Sequence, residues 1–350
     1  MRDDEIRKAF RETGESCRAL GSDFTARLCH VIASRLTKDG VVGNAILNWQ
    51  GDASNKGDIV AIRLAGALHS LVITGADQAL AQVYPPNLPP TDDDAFWNVL
   101  SASLDTHGEA IVERLQFAPQ TNEIRRSSAI HAGLMEIGRR FKLPLVLSEI
   151  GASAGLNLLC DQYQHEFSSV RCGNLNSPIV FVPEMKGSIP ALTEIQIADR
   201  SGCDLNPLDI NSAKDMDRLR SYIWPDQIAR HEQLNHAIQI GRSMNLEGLV
   251  VACEASEWLE QRLGKRWQGF AHVIFHSIAW QYFPKHIQDQ CQRFIEQAGE
   301  QADATSPIAW LSVEAAGDSA EIRLRDWPDN QDIILGQADF HGRWLDWTGC

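Results

Sequence analysis

The stretch LVLSEIGASAGLNLL, residues 145–159, decides the fold. Its first six residues form a short apolar run between Pro144 and Gly151, a pattern that is typical of a buried strand. A glycine-bearing turn follows, and then an apolar segment that we predict to be a helix. In open α/β folds such a unit brings backbone N–H groups and the positive end of a helix to the carboxyl edge of a sheet, where ligands bind. The stretch therefore predicts an α/β domain with a ligand turn at residues 151–155.

The rest of the chain after residue 141 alternates between strand-like and helix-like segments. Such alternation, followed by a closing group of strands, predicts a mostly parallel sheet with an antiparallel end. The predicted strands lie at 177–184, 194–205, 248–255, 272–280, 308–315, 320–328 and 334–344, and the predicted helices lie at 152–163, 231–240 and 288–302. An inserted hairpin is expected near 166–195.

The first 140 residues have mainly helical patterns. Apolar residues recur at helical spacing in 59–75, which ends on Gly75, and in 127–141, which stops before Pro144. Residues 91–100 begin with Thr91 and Asp92, which are good helix caps. We therefore predict two domains: a mainly helical cap domain over 1–140, and a Rossmann-like domain over 141–350.

The net charge and the spacing of particular residues limit the classes of partner that we expect. The net charge of -14 repels phosphate backbones and anionic lipid, so neither nucleic acid nor a membrane is an expected partner. The eight cysteines form no C-x-x-C pair, and no run of 18 apolar residues occurs. His272 and His276 lie too far apart on one strand, about 13 Å, to share a metal. We expect a cytoplasmic protein that acts on a small molecule without a metal; the sequence does not set its oligomeric state.

Three kinds of chemistry use a turn like the one at 151–155. Dinucleotide binding through G-x-G-x-x-G fails, because Ser153 and Leu156 stand where the second and third glycines belong. A serine hydrolase remains open, since residues 151–155 read G-x-S-x-G. Ser153 would then attack, with Asp204 or Glu254 as the acid and His276 or His341 downstream as the base. The helical pattern upstream and the missing oxyanion loop count against this reading.

The third chemistry rests on a resemblance. The run Glu149-Ile150-Gly151, followed by Gly155 and Asn157, resembles motif I of Rossmann-fold methyltransferases. More broadly, the chain from about residue 60 resembles the bacterial DUF2332 family, whose function is unassigned and whose fold looks methyltransferase-like. The resembling stretches are QTNEIRRS, SEIGASAGLNLLCDQY, RSGCDLNPLDI, IWPDQIARHEQL, VACEASEWL, VIFHSIAWQYF and ADFHGRWLDW.

The methyltransferase resemblance implies a cofactor site for S-adenosylmethionine. Its cofactor-binding residues would be Glu149, Gly151, Ala152, Ser153, Gly155 and Asn157 at the turn, Asp204 and Asn206 near the ribose, and Glu254 near the adenine. A carboxylate suits the ribose because a diol offers it two donors. Asp204 follows the turn by far more than the roughly 20 residues usual for such an acid, an excess that the inserted hairpin would explain.

Candidate catalytic residues follow the later strands. His276 and Tyr282 stand at the end of the segment 272–283 and would line the acceptor pocket, with His276 as a candidate general base. Arg125, with Asn122 and Arg126 beside it, could bind an acidic group of the substrate or tie the two domains together. We therefore predict an S-adenosylmethionine-dependent methyltransferase. The alternatives are the serine hydrolase and a Rossmann module that binds a nucleotide-like ligand without chemistry.

Overall fold

The structure is a computed structural model that describes residues 2–244 and 248–349. It divides into two compact units. Unit 1 comprises residues 1–121 and 211–234, and unit 2 comprises residues 122–210 and 235–350. The predicted domain boundary at 140/141 falls inside unit 2, at the end of a helix.

Unit 1 is helical, as the apolar periodicity predicts. Its helices are α1 (Arg2–Ala19), α2 (Asp23–Arg35), α3 (Val41–Leu47), α4 (Val60–Ile73), α5 (Gln78–Ala81), α6 (Asp93–Thr106), α7 (Gly108–Leu115) and α9 (Ala213–Ser221). Asp92 caps α6 by accepting a hydrogen bond from the amide of Ala95. The chain leaves α4 through Gly75 at a φ of 68°, where glycine avoids the strain of a left-handed backbone.

The segment 211–234 completes unit 1. Its side chains Met216, Leu219 and Leu234 are buried. Asp226 accepts hydrogen bonds from the Ser22 hydroxyl at 2.6 Å and from the amide of Phe24 at 3.0 Å, and so it anchors the start of α2. Because these bonds join residues far apart in sequence, local patterns could not predict them.

Unit 2 is built on a nine-stranded sheet with the order β5-β12-β11-β10-β9-β8-β1-β6-β7. The pairs β7–β6, β6–β1, β1–β8, β8–β9 and β12–β5 are parallel, and β9 to β12 form an antiparallel meander. This confirms the predicted α/β class with a mostly parallel sheet and an antiparallel end. Its strands are β1 (Leu145–Ile150), β5 (Glu184–Gly187), β6 (Ile197–Asp204), β7 (Val250–Ala252), β8 (Ala271–Ser277), β9 (Ile308–Ala316), β10 (Ser319–Trp327), β11 (Gln331–Ala338) and β12 (Trp344–Trp347).

Unit 2 also contains helices and a small second sheet. The helices are α8 (Ser127–Phe141), α10 (Ile228–Ser243, which starts in unit 1), α11 (Ala255–Leu263) and α12 (Lys285–Glu300). A hairpin of β2 (Gln164–Phe167) and β3 (Val170–Gly173) occupies the predicted insertion, and β4 (Val180–Phe181) joins it in parallel. β5 then leaves the insertion and pairs with β12.

The helix predicted after β1 is wrong, and the strands predicted at 177–184 and 334–344 are only partly formed, the first mainly as β4 and the second divided between β11 and β12. The segment 152–163 does not form an α-helix; a 3₁₀ helix begins at Leu156 and ends at Gln162, with a kink at Leu159. Two positive φ angles, at Ser153 and Gly155, hold the chain out of helical geometry until residue 156. The turn after β1 is therefore longer than the sequence pattern indicates.

Within residues 2–244 and 248–349, no helix combines the length and apolar character that a membrane span needs. The same residues contain no group of three or more histidine, cysteine, aspartate or glutamate side chains arranged to hold a metal ion.

Candidate functional site

The candidate site lies where β1 ends, between its two parallel neighbours. All six residues of β1 are buried. Glu149 stands opposite Gly202 of β6 on one side and Phe275 of β8 on the other. A side chain at Gly202 would lie 2.7 Å from the Cβ of Ala152 and 3.0 Å from the Glu149 carbonyl, so the missing Cβ lets the turn fold back over β6.

The turn itself holds three left-handed residues: Gly151 at a φ of 70°, Ser153 at 55° and Gly155 at 72°. The glycines also permit close packing within the protein. A Cβ on Gly151 would lie 2.6 Å from that of Ala279, and one on Gly155 would lie 2.7 Å from Val250. Ser153 has no such freedom, and a serine in this conformation costs about 1 kcal/mol or more.

The amides of the turn are already bound within unit 2. The Ser153 amide donates to Asp204 Oδ2 at 2.9 Å, and the Leu156 amide donates to Asn122 Oδ1 at 2.9 Å. The amides of Ala152 and Gly155 donate to the carbonyls of Cys203 and Ala152 at 3.0 and 2.8 Å. The sequence predicted backbone donors that face a ligand. These four amides instead donate within the protein, so they do not form a phosphate-binding loop.

The connection from β1 to the 3₁₀ helix, residues 149–157, instead carries unpartnered side-chain oxygens. Within the described residues, three buried polar atoms of this connection have no hydrogen-bond partner: Oε2 of Glu149, Oγ of Ser153 and Oδ1 of Asn157. Their side chains are almost fully buried, with exposures of 2%, 5% and 1%. Buried polar groups are nearly always paired, so three unpaired ones along the connection from β1 to the 3₁₀ helix call for partners that bring donors.

Charge also concentrates at this edge. Burial raises the pKa of the Glu149 carboxyl well above its ordinary value, and the nearby carboxylate of Asp204 raises it further; the guanidinium of Arg126 opposes both. Arg126 is itself buried and donates to the Ser277 carbonyl at 3.2 Å, at the carboxyl end of β8. A cation placed beside Glu149 would relieve this unfavourable arrangement.

Asp204 ends β6 beside the turn. Besides the Ser153 amide, it accepts a hydrogen bond from the amide of Asn206 at 2.9 Å, which forms an Asx turn. Asn206 is exposed. The structure thus brings Glu149, Ser153 and Asp204 together at the carboxyl ends of two neighbouring parallel strands.

Glu254 has a structural task at the end of β7. It is the N-cap of α11, where its carboxylate accepts hydrogen bonds from the amide and the hydroxyl of Ser256. Helix capping of this kind contributes about 1 kcal/mol.

His276 lies at the end of β8, 2% exposed, with both ring nitrogens engaged. Nδ1 lies 2.7 Å from Oε1 of Glu314, and Nε2 accepts from the indole of Trp310 at 3.0 Å. The ring stacks on Trp280 with centroids 4.9 Å apart. A general-base role for His276 would require one of these hydrogen bonds to break.

Two further predicted residues complete the account. Tyr282 is 64% exposed, on a 3₁₀ turn after β8. Arg125 is half-buried in the 3₁₀ turn before α8, beside the more deeply buried Arg126.

Sequence reasoning missed Glu314. Its Oε1 also accepts hydrogen bonds from the amides of Ala279 and Trp280, at 3.0 and 3.2 Å. Its Oε2 is buried and has no hydrogen-bond partner among the described residues. The signal was an acid near the end of the apolar strand IAWLSVEAA, next to the strand that bears His276.

No curated protein matches this sequence. The sequence profile of a family described as an uncharacterized protein conserved in bacteria (DUF2332) matches residues 7–347. Because the match covers nearly the whole chain, this protein belongs to the DUF2332 family.

Proposed function

We propose that unit 2 binds S-adenosylmethionine at the turn after β1 and transfers its methyl group to a small-molecule acceptor. The observation on which this rests is the set of three buried, unpartnered oxygens on Glu149, Ser153 and Asn157. The amino-acid end of S-adenosylmethionine carries an ammonium with three N–H donors. Such a group offers hydrogen bonds to acceptors and a positive charge to the Glu149 carboxylate.

The strand order supports the same proposal. The five consecutive parallel strands β1, β6, β7, β8 and β9 have the spatial order β7-β6-β1-β8-β9, which is 3-2-1-4-5 when they are numbered along the chain. Doubly wound nucleotide-binding sheets have this order, and their ligands lie outside the carboxyl ends at the point where the order reverses. Here that point lies between β1 and β8, next to Glu149 and Ser277.

The unpartnered acceptors suit the methionine end of S-adenosylmethionine, whereas fewer groups are available for its ribose and adenine. Each carboxylate oxygen of Asp204 has bound one backbone amide, and the lone pairs that remain could accept a ribose hydroxyl. Glu254 is occupied by α11, so the adenine would rely on packing against the half-exposed strand β7.

Within this proposal the protein contributes mainly position. Bound S-adenosylmethionine would supply an electrophilic methyl group on its sulfonium. Glu149 and Asn157 would hold the amino-acid end, and the rigid turn would fix its direction. Methyl transfer gains from such orientation and from exclusion of water. The pair of His276 and Glu314 would support the loop with Trp280 rather than accept a proton, because both ring nitrogens are engaged.

Isothermal titration of the folded protein with S-adenosylmethionine and S-adenosylhomocysteine tests the proposal. We expect both to bind, and Glu149→Gln to weaken binding about tenfold or more, as expected for the loss of a charged hydrogen-bond partner. Glu166→Gln is the matched control: Glu166 is half-buried in the hairpin and pairs with Arg171, so binding should not change. Absence of binding to either compound would refute the proposal. Binding without turnover across a broad acceptor panel would instead favour a non-catalytic module.

Serine hydrolysis is the second candidate, and one observation favours it. Ser153 holds a left-handed backbone in a G-x-S-x-G turn after a strand, which is a property of a nucleophile elbow. However, its Oγ has no hydrogen-bond partner, and thus no histidine base, within the described residues. A fluorophosphonate probe decides the question: labelling of wild-type protein that is lost in Ser153→Ala would support a hydrolase, and no labelling would exclude it.

A further inference from the structure

A cavity in unit 2 lies at the amino-terminal edge of the large sheet, opposite the candidate site. Its volume is about 300 Å³. His272 and Ile308 line it at the starts of β8 and β9, and Leu263 and Ala302 line it where α11 and α12 end. The candidate site at Glu149 occupies the carboxyl ends of the same strands, so the two sites are separate.

Trp267 and Lys265 line this cavity and carry two hydrogen-bond donors that no carboxylate in the described part of the chain pairs with, although Glu260 also lies in the lining. The indole Nε1 of Trp267 is buried and has no hydrogen-bond partner within the described residues. Lys265 places its ammonium 3.6 Å from the centroid of the same indole ring and forms no ion pair with any residue that the structure describes. The neighbouring Arg266 differs, because it pairs with Asp303 and with the hydroxyl of Ser306.

The indole is held in place. The guanidinium carbon of Arg262 lies 4.9 Å from the centroid of the Trp267 ring. Arg262 in turn donates to the hydroxyl of Ser148 in β1 at 3.0 Å, and that hydroxyl also contacts Nε2 of His272 at 2.7 Å. The Trp267 donor is therefore preorganised, which lowers the entropy cost of binding.

We propose that this cavity binds a small aromatic carboxylate. A carboxylate can accept a hydrogen bond on each of its two oxygens, which suits the indole N–H of Trp267 and the ammonium of Lys265. Leu263, Phe294 and Ile308 supply apolar walls for a ring. A volume of about 300 Å³ is at the small end for ligand pockets and suits one or two fused rings with a short substituent.

Calorimetric titration with benzoate and indole-3-carboxylate tests this site, with benzamide and indole-3-carboxamide as neutral counterparts of the same shape. We expect the carboxylates to bind at least tenfold more tightly than the amides. Trp267→Phe keeps the ring and removes the donor, and Lys265→Met keeps the chain and removes the charge. Each should weaken carboxylate binding about tenfold.

Lys186→Met is the matched control, because Lys186 also places its ammonium over an indole, 4.3 Å from the Trp344 centroid, but lies outside the cavity. It should not change carboxylate binding. Ala302→Met, checked for folding by circular dichroism, should abolish it by filling the space. The proposal is overturned if folded wild-type protein binds neither carboxylate, if the amides bind equally well, or if Trp267→Phe and Lys265→Met both bind like wild type.

Discussion

Oε1 of Glu314 lies 2.7 Å from Nδ1 of His276, and the neighbours of this histidine determine which of its ring nitrogens carries the hydrogen. The indole of Trp310 can only donate, so Nε2 of His276 must accept from it, and Nδ1 carries the hydrogen and donates to Glu314. Burial alone would raise the pKa of the Glu314 carboxyl. The hydrogen bonds from His276 and from two backbone amides outweigh burial and hold that pKa below its ordinary value.

Glu314→Ala should therefore destabilise unit 2 by about 2–4 kcal/mol, since it leaves three buried donors without their acceptor. The lowered pKa means that the stabilisation is present above pH 4.5 and is lost as pH falls through the folded-state value. Urea unfolding at pH 7 and at pH 3 measures both effects, and the difference between variant and wild type should shrink at low pH. Glu321→Ala, which removes an ion pair to Arg323 at the surface, should cost less than about 1 kcal/mol. Equal costs for the two variants would contradict this account.

Binding of S-adenosylmethionine should release protons. The free protein holds the pKa of Glu149 well above its ordinary value of 4.5, and a bound cation would lower it, so the carboxyl loses a proton on binding. Calorimetry in buffers of different ionisation enthalpy detects this release, and affinity should fall as pH drops through the raised pKa. Glu149→Gln should abolish the release. If wild type and variant release the same number of protons, Glu149 does not ionise when the ligand binds.

Replacement of Ser153 by glycine should stabilise the protein by about 0.5–1 kcal/mol. Glycine removes the strain of a φ of 55°, although its greater freedom in the unfolded chain offsets part of the gain. Ser168→Gly provides the comparison, because Ser168 has a φ of 57° in the hairpin between β2 and β3. Thermal unfolding should show a similar gain for both variants, and only Ser153→Gly should weaken S-adenosylmethionine binding. A gain at residue 168 without one at 153 would show that the turn stores no strain.

Asn122 should prove to be a positioning residue for the turn. Its Oδ1 accepts the Leu156 amide at 2.9 Å, so Asn122→Ala should cost about 1 kcal/mol in unfolding free energy and weaken S-adenosylmethionine binding. Asn122→Asp keeps the acceptor and should restore most of both. Failure of the aspartate variant to do better than alanine would show that the hydrogen bond to Leu156 does not explain the effect.

Much of the sheet was predictable from local patterns. Apolar runs of strand length located β1, β8 and β9, and the alternation with helices indicated their parallel pairing. The pairing of β5 with β12 was not predictable. β5 is the short segment EMKG with no apolar alternation, and its partner lies near the end of the chain.

At the candidate site, the sequence located the acids but not their state. Glu149 and Asp204 end neighbouring parallel strands, so their proximity follows from topology. Which groups remain unpartnered depends on partners that are distant in sequence. Asn122 and Asp204 take amides that the glycine pattern alone would leave to a ligand, and Glu314 takes the hydrogen of His276.

The split composition of unit 1 has a consequence for biosynthesis. The ribosome synthesises residues 1–121 before the segment 211–234. That later segment contains Asp226, which binds the start of α2, and Ser221, whose carbonyl oxygen lies 3.2 Å from Nδ1 of His69. Residues 122–210 of unit 2 are therefore synthesised before the helices of unit 1 can pack against that segment. A gene fragment that stops before residue 211 should therefore yield an N-terminal piece that is incomplete, open to proteases and prone to aggregate.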